Sequence, residues 1–164
     1  MAGYGNDQGF RDYATAAGYV IPDGTTDPQI AAARQRGALV VDRFEPRFSG
    51  ARTGGFQQER AWPRTGASTQ WGEALPSDEV PVGIVNASYE AAWLELNDPG
   101  SLSPVVTPNS AVKREKVGPL EIEYAVGSSG SADDAAQMST PVVTVINGMI
   151  WPFLTPVLPG VLVV

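Results

Sequence analysis

Apolar residues recur at helical spacing in three stretches of the 164-residue chain. Phe10 to Gly18 reads as a short helix, closed by Gly18, because glycine accepts the left-handed conformation that ends helices. Ile30, Ala33, Gly37, Val40, Val41, Phe44 and Phe48 then follow at three- and four-residue intervals, with Arg34, Arg36 and Arg43 between them. Thr26-Asp27-Pro28 precede this run, with Asp27 as the expected N-cap and Pro28 suited to the first turn, and Pro46 closes it. A further helix opens near Val80-Pro81 and runs to about Asn97, where Asp98-Pro99-Gly100 stop it. Ile84, Val85, Ala87, Ala91, Ala92, Leu94 and Leu96 make it apolar over much of its surface, so it must be packed on several sides.

The period changes to two after a Pro/Ser/Asn-rich linker at 99–110. Val112–Val117 and Leu120–Val126 flank Gly118-Pro119, which predicts a β-hairpin over about 111–126. A two-residue turn pairs Val117 with Leu120, Lys116 with Glu121, Glu115 with Ile122 and Arg114 with Glu123. Two opposite-charge pairs then share one face, which favours that register. Two strands alone are marginal, so the hairpin needs a helix or a neighbouring chain to cover it. Gly127–Ala132 reads as flexible, Thr140–Ile150 as a short last helix, and the chain after Trp151 as an extended apolar tail. The expected fold is mainly α: a small helical bundle over 1–150 with an inserted antiparallel hairpin, followed by an extended tail at 151–164.

Composition narrows the chemistry. The chain has no cysteine and no histidine. Thiolate nucleophiles, Ser-His-Asp triads and Cys- or His-ligated metals are therefore excluded. Ser110-Ala111-Val112-Lys113 has the spacing of a serine–lysine nucleophile motif, but it precedes a predicted strand where that chemistry requires a helix. Asn86-Ala87-Ser88 is a glycosylation sequon inside a predicted helix. Glu121 and Glu123 on one strand face, with Asp133-Asp134 beyond them, are a weak cation signal more simply read as paired or solvated charge. Neither enzymatic activity nor a cofactor is expected. Met1–Gln8 has no signal-peptide pattern, and Pro152, Pro156 and Pro159 interrupt the uncharged stretch 135–164, so no membrane association is expected either.

The net charge is −7, unevenly placed: residues 1–64 carry 8 basic and 7 acidic residues, residues 65–164 carry 3 and 11. Segment 47–79 has no clean period and reads as an ordered loop. In and around it Arg47, Arg52, Arg60 and Arg64 alternate with Phe48, Phe56, Trp62 and Trp71. That interleaving has two readings. Arg60, Trp62 and Arg64, with Phe56, suit a single-stranded nucleic-acid groove, with rings stacking on bases and guanidiniums meeting phosphates. They equally suit a loop anchored by its aromatics, whose arginines cap carbonyls or bridge to acids, and the net negative charge favours this second reading.

The same stretch resembles a known group. Gly50-Ala51-Arg52-Thr53, then Gln58-Glu59-Arg60-Ala61-Trp62-Pro63-Arg64-Thr65-Gly66, then Val80-Pro81 opening an Ala-rich helix through Glu90-Ala91-Ala92, are similar to tailed-phage proteins often labelled DnaT-like single-stranded DNA-binding proteins. Val112 to Tyr124 looks like the hairpin of that group. The resemblance implies a head–tail connector, or adaptor, of the virion. Such a protein forms a ring, usually of twelve, between the portal protein and a tail-side connector or tail terminator protein. It would assemble in the host cytoplasm and let genomic DNA pass without sequence-specific binding. On that reading Arg114, Lys116, Glu121 and Glu123 make inter-subunit contacts. Trp151, Phe153, Leu154, Val157, Leu158, Val161, Leu162, Val163 and Val164 dock on the portal. The alternative implied by the label is a single-stranded-DNA-binding replication accessory using the Arg/aromatic loop.

Overall fold

The computed structural model describes residues 3–103, 114–117, 120–123 and 144–156. The chain forms two compact units, Met1–Pro99 with Val143–Val164, and Gly100–Val142. The larger unit is built on helices α1 (Asp7–Ala16), α2 (Asp27–Asp42), α3 (Val82–Asn97) and α4 (Thr144–Ile150). The smaller unit holds an antiparallel pair, Arg114–Val117 with Leu120–Glu123. Its register matches Arg114 with Glu123 and Val117 with Leu120, as the charge pattern predicts. The rest of the predicted hairpin, 111–113 and 124–126, lies outside the described residues, as do 104–110, 127–143 and 157–164.

Local chemistry sets the helix ends. α1 begins three residues before Phe10, because the Asn6 side chain caps it by accepting from Gly9 N–H at 2.8 Å. Beyond its end, Gly18 takes φ +75 and Tyr19 N–H reaches the Ala14 carbonyl at 2.8 Å. The N-cap of α2 is Thr26 and not Asp27, which becomes the first helical residue. The Gln29 side chain accepts from the Thr26 N–H at 2.8 Å, and Asp27 sits where the helix dipole favours a carboxylate.

α2 and α3 form the centre of the larger unit. Gly37 lets them approach backbone to backbone: a Cβ there would lie 2.6 Å from Ala92 N. Phe10, Ile30, Ala33, Tyr89 and Ala92 close the core between α1, α2 and α3, and Tyr13, Ile21, Val85, Trp93 and Leu96 pack around them. Ile146 and Ile150, one turn apart on α4, are buried, and α4 packs against α3. Phe10 and Ile30 are fully buried, and each contributes about 1.5–3 kcal/mol through area removed from water. Among the described residues no helix is long and apolar enough to cross a membrane.

The chain after Trp151 departs from the extended tail expected of it. Trp151–Phe153 form a 3₁₀ turn, and Leu154 pairs with Phe48 in an antiparallel bridge. Thr155 donates twice to the Arg47 carbonyl, from N–H at 2.7 Å and from Oγ1 at 2.9 Å. Leu154 is buried and Phe153 half-buried, with its ring 6.1 Å from that of Trp62. Apolar residues this close to an aromatic loop gain more by covering it than by extending into water. Of the three described tail residues expected to dock on a partner, Trp151 alone is exposed.

Candidate functional site

The loop between α2 and α3 is fixed from beneath by two carboxylates at its entrance. Asp42, the last residue of α2, accepts from Tyr4 OH at 2.5 Å, Arg60 Nη1 at 3.0 Å and Ala61 N–H at 3.1 Å. The Tyr4 hydroxyl in turn accepts from Trp62 N–H at 3.2 Å. Burial first, then the bond to Asp42, holds the Tyr4 phenol protonated far above its usual range. Glu45, three residues on, takes Arg52 and Arg64 together. These arginines face each other across a two-stranded ladder, β1 (Ala51–Arg52) with β2 (Arg64–Thr65), where unpaired like charges would repel. The hydrogen bonds from Arg52 are the main reason that the Glu45 carboxyl sits below the ordinary carboxylate range.

Arg64 does more than balance charge. Its guanidinium donates to the carbonyls of Ser49 at 2.8 Å, Gly50 at 2.7 Å and Ala61 at 3.1 Å, and it lies 6.0 Å from the Phe48 ring centroid. Arg52 donates to the Gln58 carbonyl, and the Gln58 amide to the carbonyls of Arg60 and Pro63. Trp62 is buried, edge-on to Phe48 at 5.4 Å. Arg60, Trp62 and Arg64, singled out in the sequence, therefore all face inward, and the structure joins them into one network through Asp42 and Glu45. A nucleic acid would have to break buried ion pairs to reach them.

The rings facing outward are others. Phe56 is 92% exposed, Trp71 69% and Trp151 54%. Trp71 and Trp151 meet edge to face, with centroids 5.7 Å apart and planes at 75°. The backbone sets this meeting, since Gln70 N–H donates to the Pro152 carbonyl at 2.9 Å. Arg47 is exposed and makes no ion pair among the described residues.

Sequence reasoning missed Asp42 and Glu45 as the acids that hold the loop, and Arg34 as a buried pin for the N-terminal segment. Arg34 pairs with Asp7 and donates to the carbonyls of Tyr4 and Gly5 at 3.0 and 2.5 Å. It also missed Glu90, buried on α3 and accepting from Tyr13 OH and Tyr19 OH at 2.8 Å each. The available signal was two acids three residues apart, immediately before a run of arginines. Among the described residues no group of three or more carboxylates is placed to hold a metal ion. Asp133 and Asp134 lie outside them, as do Val157–Val164, and for Arg114, Lys116, Glu121 and Glu123 the structure describes the backbone.

One family model matches the chain, over residues 3–160, and its description reads "Putative DnaT-like ssDNA binding protein". The chain belongs to that family. No curated protein and no solved structure matches it. Membership in the DnaT-like family names single-stranded DNA and does not extend to the head–tail connector role that the resemblance implied. In this DnaT-like chain the Trp-Pro-Arg-Thr-Gly run at 62–66 is structural. It supplies the Trp62 anchor, the Arg64 hub and, at Gly66, a residue at φ +70.

Proposed function

We propose that the protein binds single-stranded DNA, the activity named by its family, and does so on outward-facing rings and not on the buried arginines of its loop. The observation that carries this is a pinned loop displaying large aromatic side chains to solvent: Phe56 and Trp71 from the loop, with Trp151 beside Trp71. A flat ring held by a stiff backbone loses little freedom when a base stacks on it, and such stacking tolerates any sequence. With Arg52, Arg60 and Arg64 committed to carboxylates, few cations remain for phosphates, so the affinity should be modest and the salt dependence shallow. The test is fluorescence anisotropy of labelled oligothymidylate at low and moderate salt, with a duplex of equal length as competitor. Binding of the single strand that the duplex does not displace supports the proposal. No binding at low salt rejects it.

A second reading is the head–tail connector ring. It draws support from the net charge of −7 and from aliphatic side chains left exposed on three helices, Leu39 on α2, Val82 on α3 and Val145 on α4. Neighbouring subunits or a portal protein would cover such residues, and a negatively charged wall would let DNA slide past. Light scattering and negative-stain images of the purified protein test it. Ring-shaped particles together with absent oligonucleotide binding would favour the connector, whereas a monomer that binds single strands would remove it.

A further inference from the structure

We infer that the DNA-binding surface is a composite one, in which the segment after α4 folds back to place Trp151 against Trp71, and that its ligand is an unpaired nucleobase held at the corner between the two rings. The inference rests on the single-stranded-DNA reading above and adds the place, the parts and the contact. Two backbone anchors hold the C-terminal segment on the loop: Gln70 N–H to the Pro152 carbonyl, and the Phe48–Leu154 bridge, beside which Thr155 donates to the Arg47 carbonyl. They follow Trp151 directly, and buried Ile150 precedes it, so the backbone carrying its ring is held on both sides. The resulting pair is not buried: both indoles stay more than half exposed while touching edge to face.

Indoles set at 75° offer a base the face of one ring to stack on and the edge of the other to abut, a geometry that an isolated tryptophan lacks. A paired base has both faces covered by its own stack and cannot enter such a corner, so single strands are selected over duplex without any reading of sequence. Two exposed charged residues adjoin the parts of the corner, one through a backbone bond and one along the chain. Arg47, whose carbonyl holds Thr155, is exposed and carries a cation for a phosphate. Glu73, two residues beyond Trp71 and also exposed, carries the opposite sign. Phe56 stands outside this arrangement as a ring without a stacking neighbour among the described residues.

The experiment is an oligothymidylate titration of the full chain and of Trp71→Ala, Trp151→Ala, the double variant and Phe56→Ala, with the melting temperature of each recorded. Each single tryptophan variant should weaken binding by roughly 5- to 150-fold, the range of one lost base stack. The double variant should lose less than the product of the two, since both rings serve one base. Phe56→Ala, which removes an outward ring standing apart from the corner, should weaken binding by less than either tryptophan variant, and an equal or larger loss would overturn the corner as the main contact. Where an alanine variant melts early, the leucine variant, which keeps bulk but lacks a flat ring, should show the same loss. Unchanged affinity in both tryptophan variants, or loss in Trp71→Ala alone, overturns the composite corner while leaving DNA binding standing. A parent chain that binds no single strand at low salt overturns both.

Discussion

Replacing Gly37 by alanine should destabilise the protein, although the same change in a free helix would stabilise it. Alanine is the better helix former by about 1 kcal/mol, because glycine loses more backbone freedom on folding. At position 37 the added methyl would lie 2.6 Å from Ala92 N and 3.0 Å from Ala92 Cα, against an ordinary contact of about 3.4 Å or more. These neighbours are backbone and cannot rotate away, so α2 and α3 must separate by roughly 0.5–1 Å, a gap that forfeits a quarter to a half of each dispersion contact across it. Overpacking of this kind costs about 3 kcal/mol, at the upper end of its usual range because the obstacle is main chain. Subtracting the propensity gain leaves about 2 kcal/mol of destabilisation, or about 4–8 °C in melting temperature for a chain of this size. Gly148 on α4 is the internal control, since no atom lies within 4 Å of its would-be Cβ and its φ is not positive. Gly148→Ala should raise stability by up to about 1 kcal/mol through propensity alone. Urea titrations of both variants, read by far-ultraviolet circular dichroism, measure the two signs side by side. A Gly37→Ala protein as stable as its parent would refute the close crossing and the reasoning built on it.

Three further outcomes follow from the loop and the α1–α3 core. Arg64→Met should cost about 3 kcal/mol, since it strands three carbonyls and half of Glu45's pairing, and should open residues 45–66 to limited proteolysis before the helices melt. Glu45 has a depressed folded pKa, so the stability it contributes is present above the ordinary carboxylate pKa and is lost as pH falls through the folded value. Glu45→Gln should therefore melt below the parent at pH 7, and the gap should close toward pH 3 in thermal scans across that range. Tyr19→Phe removes one of two phenol donors to the buried Glu90 and should cost about 1–2 kcal/mol while leaving the Tyr19–Trp93 ring stack in place, measured by urea titration.

Helices and hairpin register were legible because they rest on local rules. Ile30, Ala33, Gly37, Val40 and Val41 mark the face of α2, and one charge pattern fixed Arg114 opposite Glu123. The loop was legible as ordered but not as inward-facing. Arginine alternating with aromatics looks the same whether the guanidiniums meet phosphates or carbonyls. The choice is made by Asp42 and Glu45, whose positions beneath the loop depend on where α2 ends. The segment after Trp151 departs from the expected extended tail for a related reason. Pro152 and Pro156 predict a chain without a helix, yet a helix-free segment can still bridge to Phe48 when an apolar ledge is within reach. Position in sequence also hid the Trp71–Trp151 pair, since eighty residues separate two rings that one backbone hydrogen bond brings together.

Arg64, Arg60 and Arg52 give the irregular segment between α2 and α3 an uncommon kinetic character. Loops of this length ordinarily exchange their amide protons through small local openings. Here Thr53, Ala61, Trp62 and Ser68 donate their N–H groups to partners fixed in turn by buried side chains or by other parts of the loop. Ala61 N–H ends on Asp42 itself and Trp62 N–H on the Tyr4 hydroxyl bonded to it, so opening there disturbs the carboxylate that holds Arg60. The segment should thus exchange together with α2 and α3, as part of their cooperative unit. Its outward rings are then presented by a surface that is ordered in the free protein.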